Sequence, residues 1–204
     1  MRQQFFVAIG VLLGVAAWAA AGSDTKPAAE SDSPRQALKS QDAAARSGDV
    51  EADLAFYQAD DEQQKALAAA MARGDVAVAR LESAVEKRFG KDLAASVARA
   101  AGSEDVQSVD RAEEHLTGDH ATIQFRDQKS SVPMVRSNGR WKISLADWTQ
   151  DVKADQVKRL ADGLDKLAHE LDHLRDLVEH DKFRSGEGVR DRVQSLHDQL
   201  FEAK

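Results

Sequence analysis

Gly118-Asp119-His120-Ala121-Thr122-Ile123-Gln124-Phe125 and Arg140-Trp141-Lys142-Ile143-Ser144-Leu145 are the two stretches that decide the fold class. In each, apolar and polar residues alternate with a period of two, the pattern of a strand with one buried face. Trp141, Ile143 and Leu145 fall on one side of the second stretch. Between the two, Ser131–Arg136 (SVPMVR) can extend, with Pro133 favouring an edge or a bulge. Ser137-Asn138-Gly139 is a strong hairpin turn, because asparagine and glycine both tolerate positive φ. His115 to His120 supplies a further turn. These segments predict an antiparallel sheet of three to four strands whose apolar face needs a helical cover.

The cover lies upstream. Ser33-Pro34-Arg35-Gln36 reads as a helix start, with serine as cap, proline at the first helical position and glutamine at the third. Gly48 ends that helix and Asp49 caps the next, a short one carrying Leu54, Phe56 and Tyr57. Asp60 with Gln63 reads as a cap opening a helix to about Arg73. Gly74-Asp75-Val76 then echoes Gly48-Asp49-Val50 26 positions earlier, which predicts a second stop and start rather than a repeat architecture. Val76, Val78, Leu81, Val85 and Phe89 form a helical stripe, Gly90 closes it, and Lys91–Ala100 is one more helix.

Downstream of the sheet, Gln150 to about Lys182 reads as one long helix. Leu160, Leu164, Leu167, Leu171, Leu174 and Val178 recur at spacings of 4, 3, 4, 3 and 4, a heptad-like seam. Ser185-Gly186-Glu187-Gly188 breaks it, and Val189, Val193, Leu196 and Leu200 carry a second stripe. The expectation is an antiparallel helical hairpin folded on itself, on the preceding domain or on a second copy.

The order of these elements resembles the nuclear transport factor 2-like superfamily, which includes SnoaL-like and ketosteroid-isomerase-like proteins. Gly118-Asp119-His120-Ala121-Thr122-Ile123 and Asn138-Gly139-Arg140-Trp141-Lys142-Ile143 are similar to two strand motifs that recur in exported members of unknown role. The resemblance runs from Ser33 to about Trp148, with Asp60–Ala100 longer than the usual pattern. It implies an α+β fold in which a curved, cystatin-like sheet is wrapped by helices around a cone-shaped pocket. Tyr57, Phe125, Trp141 and Trp148 are the candidate lining of such a pocket, although Trp141 and Trp148 read first as core. The superfamily's isomerases combine a carboxylate base with tyrosine and protonated-acid donors. Here the single tyrosine, Tyr57, lies in the helical half, and no acid–tyrosine set is recognisable on the strands.

His169-Glu170-Leu171-Asp172-His173 matches the H-E-x-x-H zinc signature, whose two imidazoles sit one helical turn apart. A third ligand at the expected place is missing, since Glu179 stands there and His180 comes one residue late. At about 100° per residue, His169 and His173 also fall about 180° away from the leucine seam. They are expected on the solvent face, as weak surface ligands at most, with no catalytic residue and no cofactor assigned.

The 204 residues carry no cysteine, which excludes disulfides, thiolate metal sites and cysteine nucleophiles, and a net charge of -7, which argues against nucleic-acid binding. Met1-Arg2 followed by the apolar run Phe5–Ala21, ending in three alanines, has the order of a secretory signal peptide. The expected organisation is a signal peptide at 1–21, a flexible linker at 22–33, the helix-plus-sheet domain at 34–149 and the helical hairpin at 150–204. The expected location is the periplasm or the cell exterior, with retention as an N-terminal membrane anchor as the alternative. The functional expectation is a non-catalytic protein that binds an unknown small ligand or protein, with the C-terminal helices as the candidate surface for a homo-oligomer. The alternatives are a small-molecule isomerase or dehydratase in the domain pocket, and a helical scaffold.

Overall fold

The structure is a computed structural model that describes residues 11–12, 33–104, 106–125 and 131–201. Most of the expected signal peptide and linker therefore lies outside the described residues. In chain order the elements are β1 (Val11–Leu12), α1 (Pro34–Ser47), α2 (Val50–Leu54), β2 (Tyr57–Gln58), α3 (Glu62–Phe89), α4 (Lys91–Ala100), β3 (Ser103–Glu104), α5 (Val106–Arg111), β4 (Glu113–Thr117), β5 (His120–Gln124), β6 (Ser131–Ser137), β7 (Arg140–Ser144), α6 (Leu145–Thr149), α7 (Ala154–Glu179) and α8 (Gly186–Phe201). β1 and β3 form a small parallel pair apart from the main sheet.

The fold is α+β. The main sheet has five strands in the order β2-β7-β6-β5-β4, not three to four. Four form the antiparallel meander expected from the alternation. The fifth, β2, has two residues and joins β7 in parallel, so Tyr57 stands beside Ile143. A strand that short has no periodicity to detect, which is why it escaped the sequence reading. The β6–β7 turn places Asn138 at φ 52° and Gly139 at φ 78°, both in the left-handed region that a two-residue hairpin requires. Ala121, Ile123, Met134, Trp141 and Ile143 point to one face and are buried, and α1 packs over β5 and β7. The opposite face carries Thr122, Gln124 and Lys142. Leu145, expected to extend the last strand, instead begins α6, because the Ser144 hydroxyl accepts from Asp147 N and caps a helix there.

The helical half departs from expectation at one place. Gly48 (φ 79°) and Asp49 do end one helix and cap the next, Asp49 accepting from Glu51 N and Ala52 N. Gly74-Asp75 does neither: α3 runs through both as one helix of 28 residues. Its start is also shifted, with Asp61 capping Gln64 N at 2.8 Å in place of Asp60 with Gln63. A mid-helix glycine costs about 1 kcal/mol relative to alanine. Burial of Leu67, Met71, Val76, Val78, Leu81 and Val85 on both sides of Gly74 outweighs that several-fold. Asp75 is kept from capping because its carboxyl is engaged elsewhere.

α7 begins at Ala154 rather than Gln150, with Lys153 N accepted by the Gln156 side chain at 3.1 Å. Its seam residues Leu164, Leu167, Leu171, Leu174 and Val178 are buried, and its principal packing partner is α3. Arg73, Arg80 and Arg88 of α3 meet Asp165, Asp172 and Asp181 in the same order along the chain, so α3 and α7 run parallel. Phe201 at the end of α8 lies against Gly163 early in α7, which makes α7 and α8 the expected antiparallel hairpin. The hairpin is folded on the domain: α7 on α3, and α8 on α4. Gly186 is where α8 meets Leu93 of α4, close enough that a Cβ would stand 2.6 Å from Leu93 Cδ1.

Candidate functional site

The polar groups that the fold buries most completely gather at one point. Gln41 on α1, Asp53 on α2, Tyr57 on β2 and Asp75 at the middle of α3 are between 0% and 6% exposed. Each reaches the cluster for a local reason. Gln41 lies on the apolar stripe of α1, one turn from Ala37 and Ala45. Asp53 is carried inward by the single turn of helix that Asp49 caps. Tyr57 is fixed by the pairing of β2 with β7. Asp75 sits on the α3 stripe one turn after Met71.

The Tyr57 hydroxyl donates to Asp75 Oδ2 at 2.7 Å. Gln41 Nε2 donates to the same oxygen at 2.8 Å and to Tyr57 Oη at 2.9 Å. Asp75 Oδ1, both oxygens of Asp53 and Gln41 Oε1 are buried and have no donor. Such a surplus of acceptors is costly if both carboxyls are ionised, and a proton on Asp53 supplies the missing donor.

The electrostatics agree with that proton. Burial, then the neighbouring Asp75 charge, pushes Asp53 up to about 10. Burial also pushes Asp75 up, to about 7, against the opposing hydrogen bonds from Tyr57 and Gln41. The same burial, with the charges of Asp75 and Asp53, raises the Tyr57 phenol well above its ordinary value. Around neutral pH the cluster therefore retains a proton on Asp53, beside an Asp75 that also ionises less readily than an ordinary aspartate. Just outside it, Arg46 bridges Asp42 at 3.3 Å and Glu82 at 3.0 Å and ties α1 to α3 a second time.

Of the sequence candidates, Tyr57 is the one that belongs to this cluster. Phe125 and Trp141 are buried in the common core, and Trp148 is partly buried against it. A separate shallow cleft of about 250 Å³ lies between the start of α3 and the α6–α7 connection. Asp61, Gln63, Gln64, Thr149 and Gln150 give it a mostly polar lining, and none of the four aromatic candidates contributes. His169 and His173 lie on the exposed face of α7. Among the described residues no group of three or more acidic or imidazole side chains could hold a metal ion, and no helix is long and apolar enough to cross a membrane.

Gln41, Asp53 and Asp75 were missed by sequence reasoning. Their signal was a polar residue inside an apolar stripe. Asp75 is the one acid between Glu62 and Glu82, in a run otherwise made of alanine and other apolar residues apart from Gln63, Gln64, Lys65, Arg73, Gly74 and Arg80. Its placement after glycine made it look like a cap.

No protein-family model matches the chain, and no curated protein or solved structure does either.

Proposed function

We propose that this chain is an exported, non-catalytic binding protein that engages a ligand or partner through its outer surface. The observation that carries this reading is the closure of the interior. Tyr57, Phe125 and Trp141, which would line an internal pocket, are 6%, 3% and 4% exposed. An acid–tyrosine set that is 6% exposed or less among the described residues offers a substrate little entry, whereas it can fasten α1, α2 and β2 to α3. The resemblance to nuclear transport factor 2-like proteins, with its curved cone, rests on the two strand motifs and belongs to this proposal, as do export and self-association.

A second reading has one observation in its favour. A carboxylate, a tyrosine and a protonated acid converge at Asp75, Tyr57 and Asp53, the group types an isomerase or dehydratase would use to move a proton and hold an oxyanion. Amide and methyl NMR spectra of residues 22–204, recorded against a library of small polar and apolar fragments, separate the two. The binding reading expects perturbations confined to surface positions, such as the cleft at Asp61 and Gln150. Saturable perturbations centred on Tyr57, Phe125 and Trp141 would overturn it and bring the enzyme forward.

A further inference from the structure

We propose that α2 is a proton-operated latch: Asp53 stays in the Gln41–Tyr57–Asp75 cluster while it carries a proton and leaves it on ionising, freeing α2 and β2 from the sheet edge. Four elements meet at this cluster, each through one side chain, and α2 and the adjoining β2 are the two shortest of them. α2 has five residues, lies between the break at Gly48 and the strand at Tyr57, and contributes one buried residue, Asp53. An anion there would have to remain buried beside another carboxyl with no donor of its own.

Every ionisable group facing Asp53 acts in the same direction or is a partner in the cluster. From α3 comes Asp75, from α1 come Asp42 and the neutral Gln41, and from β2 comes the Tyr57 hydroxyl, already committed to Asp75. The guanidinium that neighbours Asp42, that of Arg46, is held by Asp42 and Glu82, and no cation acts on Asp53 among the groups that shift it most. Ionised Asp53 therefore has no compensating charge inside and full hydration outside.

Release of α2 has a specific reporter. The amide of Ile143 donates to the carbonyl of Phe56 at 2.8 Å, so β7 loses this bond when β2 departs. The edge of β7 would then be bare, which is the condition for pairing with another strand.

The test is amide hydrogen exchange by NMR from pH 6 to 9, corrected for the intrinsic rate, with Leu171 in α7 as the reference for whole-chain opening. Opening at Ile143 and residues 50–58 is expected to rise roughly tenfold per pH unit, as for one proton lost on opening, and to stay more frequent than opening at Leu171, where whole-chain unfolding releases the same proton. Asp53→Asn should abolish that rise at Ile143. Asp75→Asn removes the neighbouring charge and should move the pH at which the rise levels off downward, which keeps a readout if Asp53→Asn does not fold. A flat profile at Ile143 in the natural protein, an unchanged slope in Asp53→Asn, or opening at Ile143 no more frequent than at Leu171 would overturn the latch.

Discussion

Replacing Asp53 by asparagine removes an ionisable group while keeping its shape, and the structure fixes the sign of the result. Asp53 is raised from 3.8 to about 10. An acid whose folded value lies above its unfolded value contributes stability that is complete below pH 3.8 and is lost as pH rises towards the folded value. At pH 7 the unfolded chain gains by releasing this proton over about three pH units, or about 4 kcal/mol at 1.4 kcal/mol per unit. Hydrogen bonds that asparagine makes less well offset part of that gain. Asp53→Asn should therefore be more stable than the natural protein by about 1–3 kcal/mol at pH 7.5 and no more stable at pH 4.5. Urea unfolding followed by circular dichroism at pH 4.5, 6, 7.5 and 9 measures both. The natural protein should lose stability across this window and the variant should lose less. Destabilisation of Asp53→Asn by the same amount at every pH would refute the reasoning, since it would mean that Asp53 is buried as a satisfied anion.

Trp141→Ala should cost about 3–5 kcal/mol in the same unfolding assay, because the ring is 4% exposed in the core; an unchanged midpoint would place it against an open pocket. Gly186→Ala should destabilise by about 1–3 kcal/mol, because the new methyl meets Leu93 Cδ1, Cβ and Cγ at 2.6, 3.1 and 3.2 Å, so a simple rotation of the leucine does not clear it; a neutral effect in thermal unfolding would show that α8 and α4 separate freely. The double replacement His169→Ala, His173→Ala should leave the melting temperature within about 1 °C, as expected for exposed helix positions with no role in packing; a drop of several degrees that added zinc reproduces in reverse would show a structural metal.

What was legible in the sequence was what short-range geometry encodes. The Asn138-Gly139 turn needs positive φ at both residues, so it could be read from two letters, and the alternation around Trp141 then fixed the buried face. Ser33 and Gly48 likewise bound α1 through their own conformations. The two Gly-Asp-Val stretches show where that kind of reading stops. They are identical in sequence, yet one is a helix break and the other is the middle of α3. The difference lies in what surrounds them: Arg80 reaches back to the Gly48 carbonyl at 2.9 Å, whereas Asp75 is held by Gln41 and Tyr57, 34 and 18 residues away. The leucine seam of α7 was legible, but its partner was not, because a seam records that a helix is covered and not by which helix. The candidate site was hidden for the same reason, since it is assembled from single residues of four elements.

Asp53 carries its proton inside the folded chain, beside Asp75. Carbon-13 NMR of the aspartate side-chain carboxyls, recorded from pH 3 to 10, observes it directly. Asp53 should keep the shift of a protonated carboxyl through neutrality, and Asp75 should titrate well above the ordinary aspartate range, against the exposed aspartates of the same molecule as internal controls. Two carboxyls that both titrate near pH 4 with the exposed set would contradict the proton on Asp53 and the latch built on it.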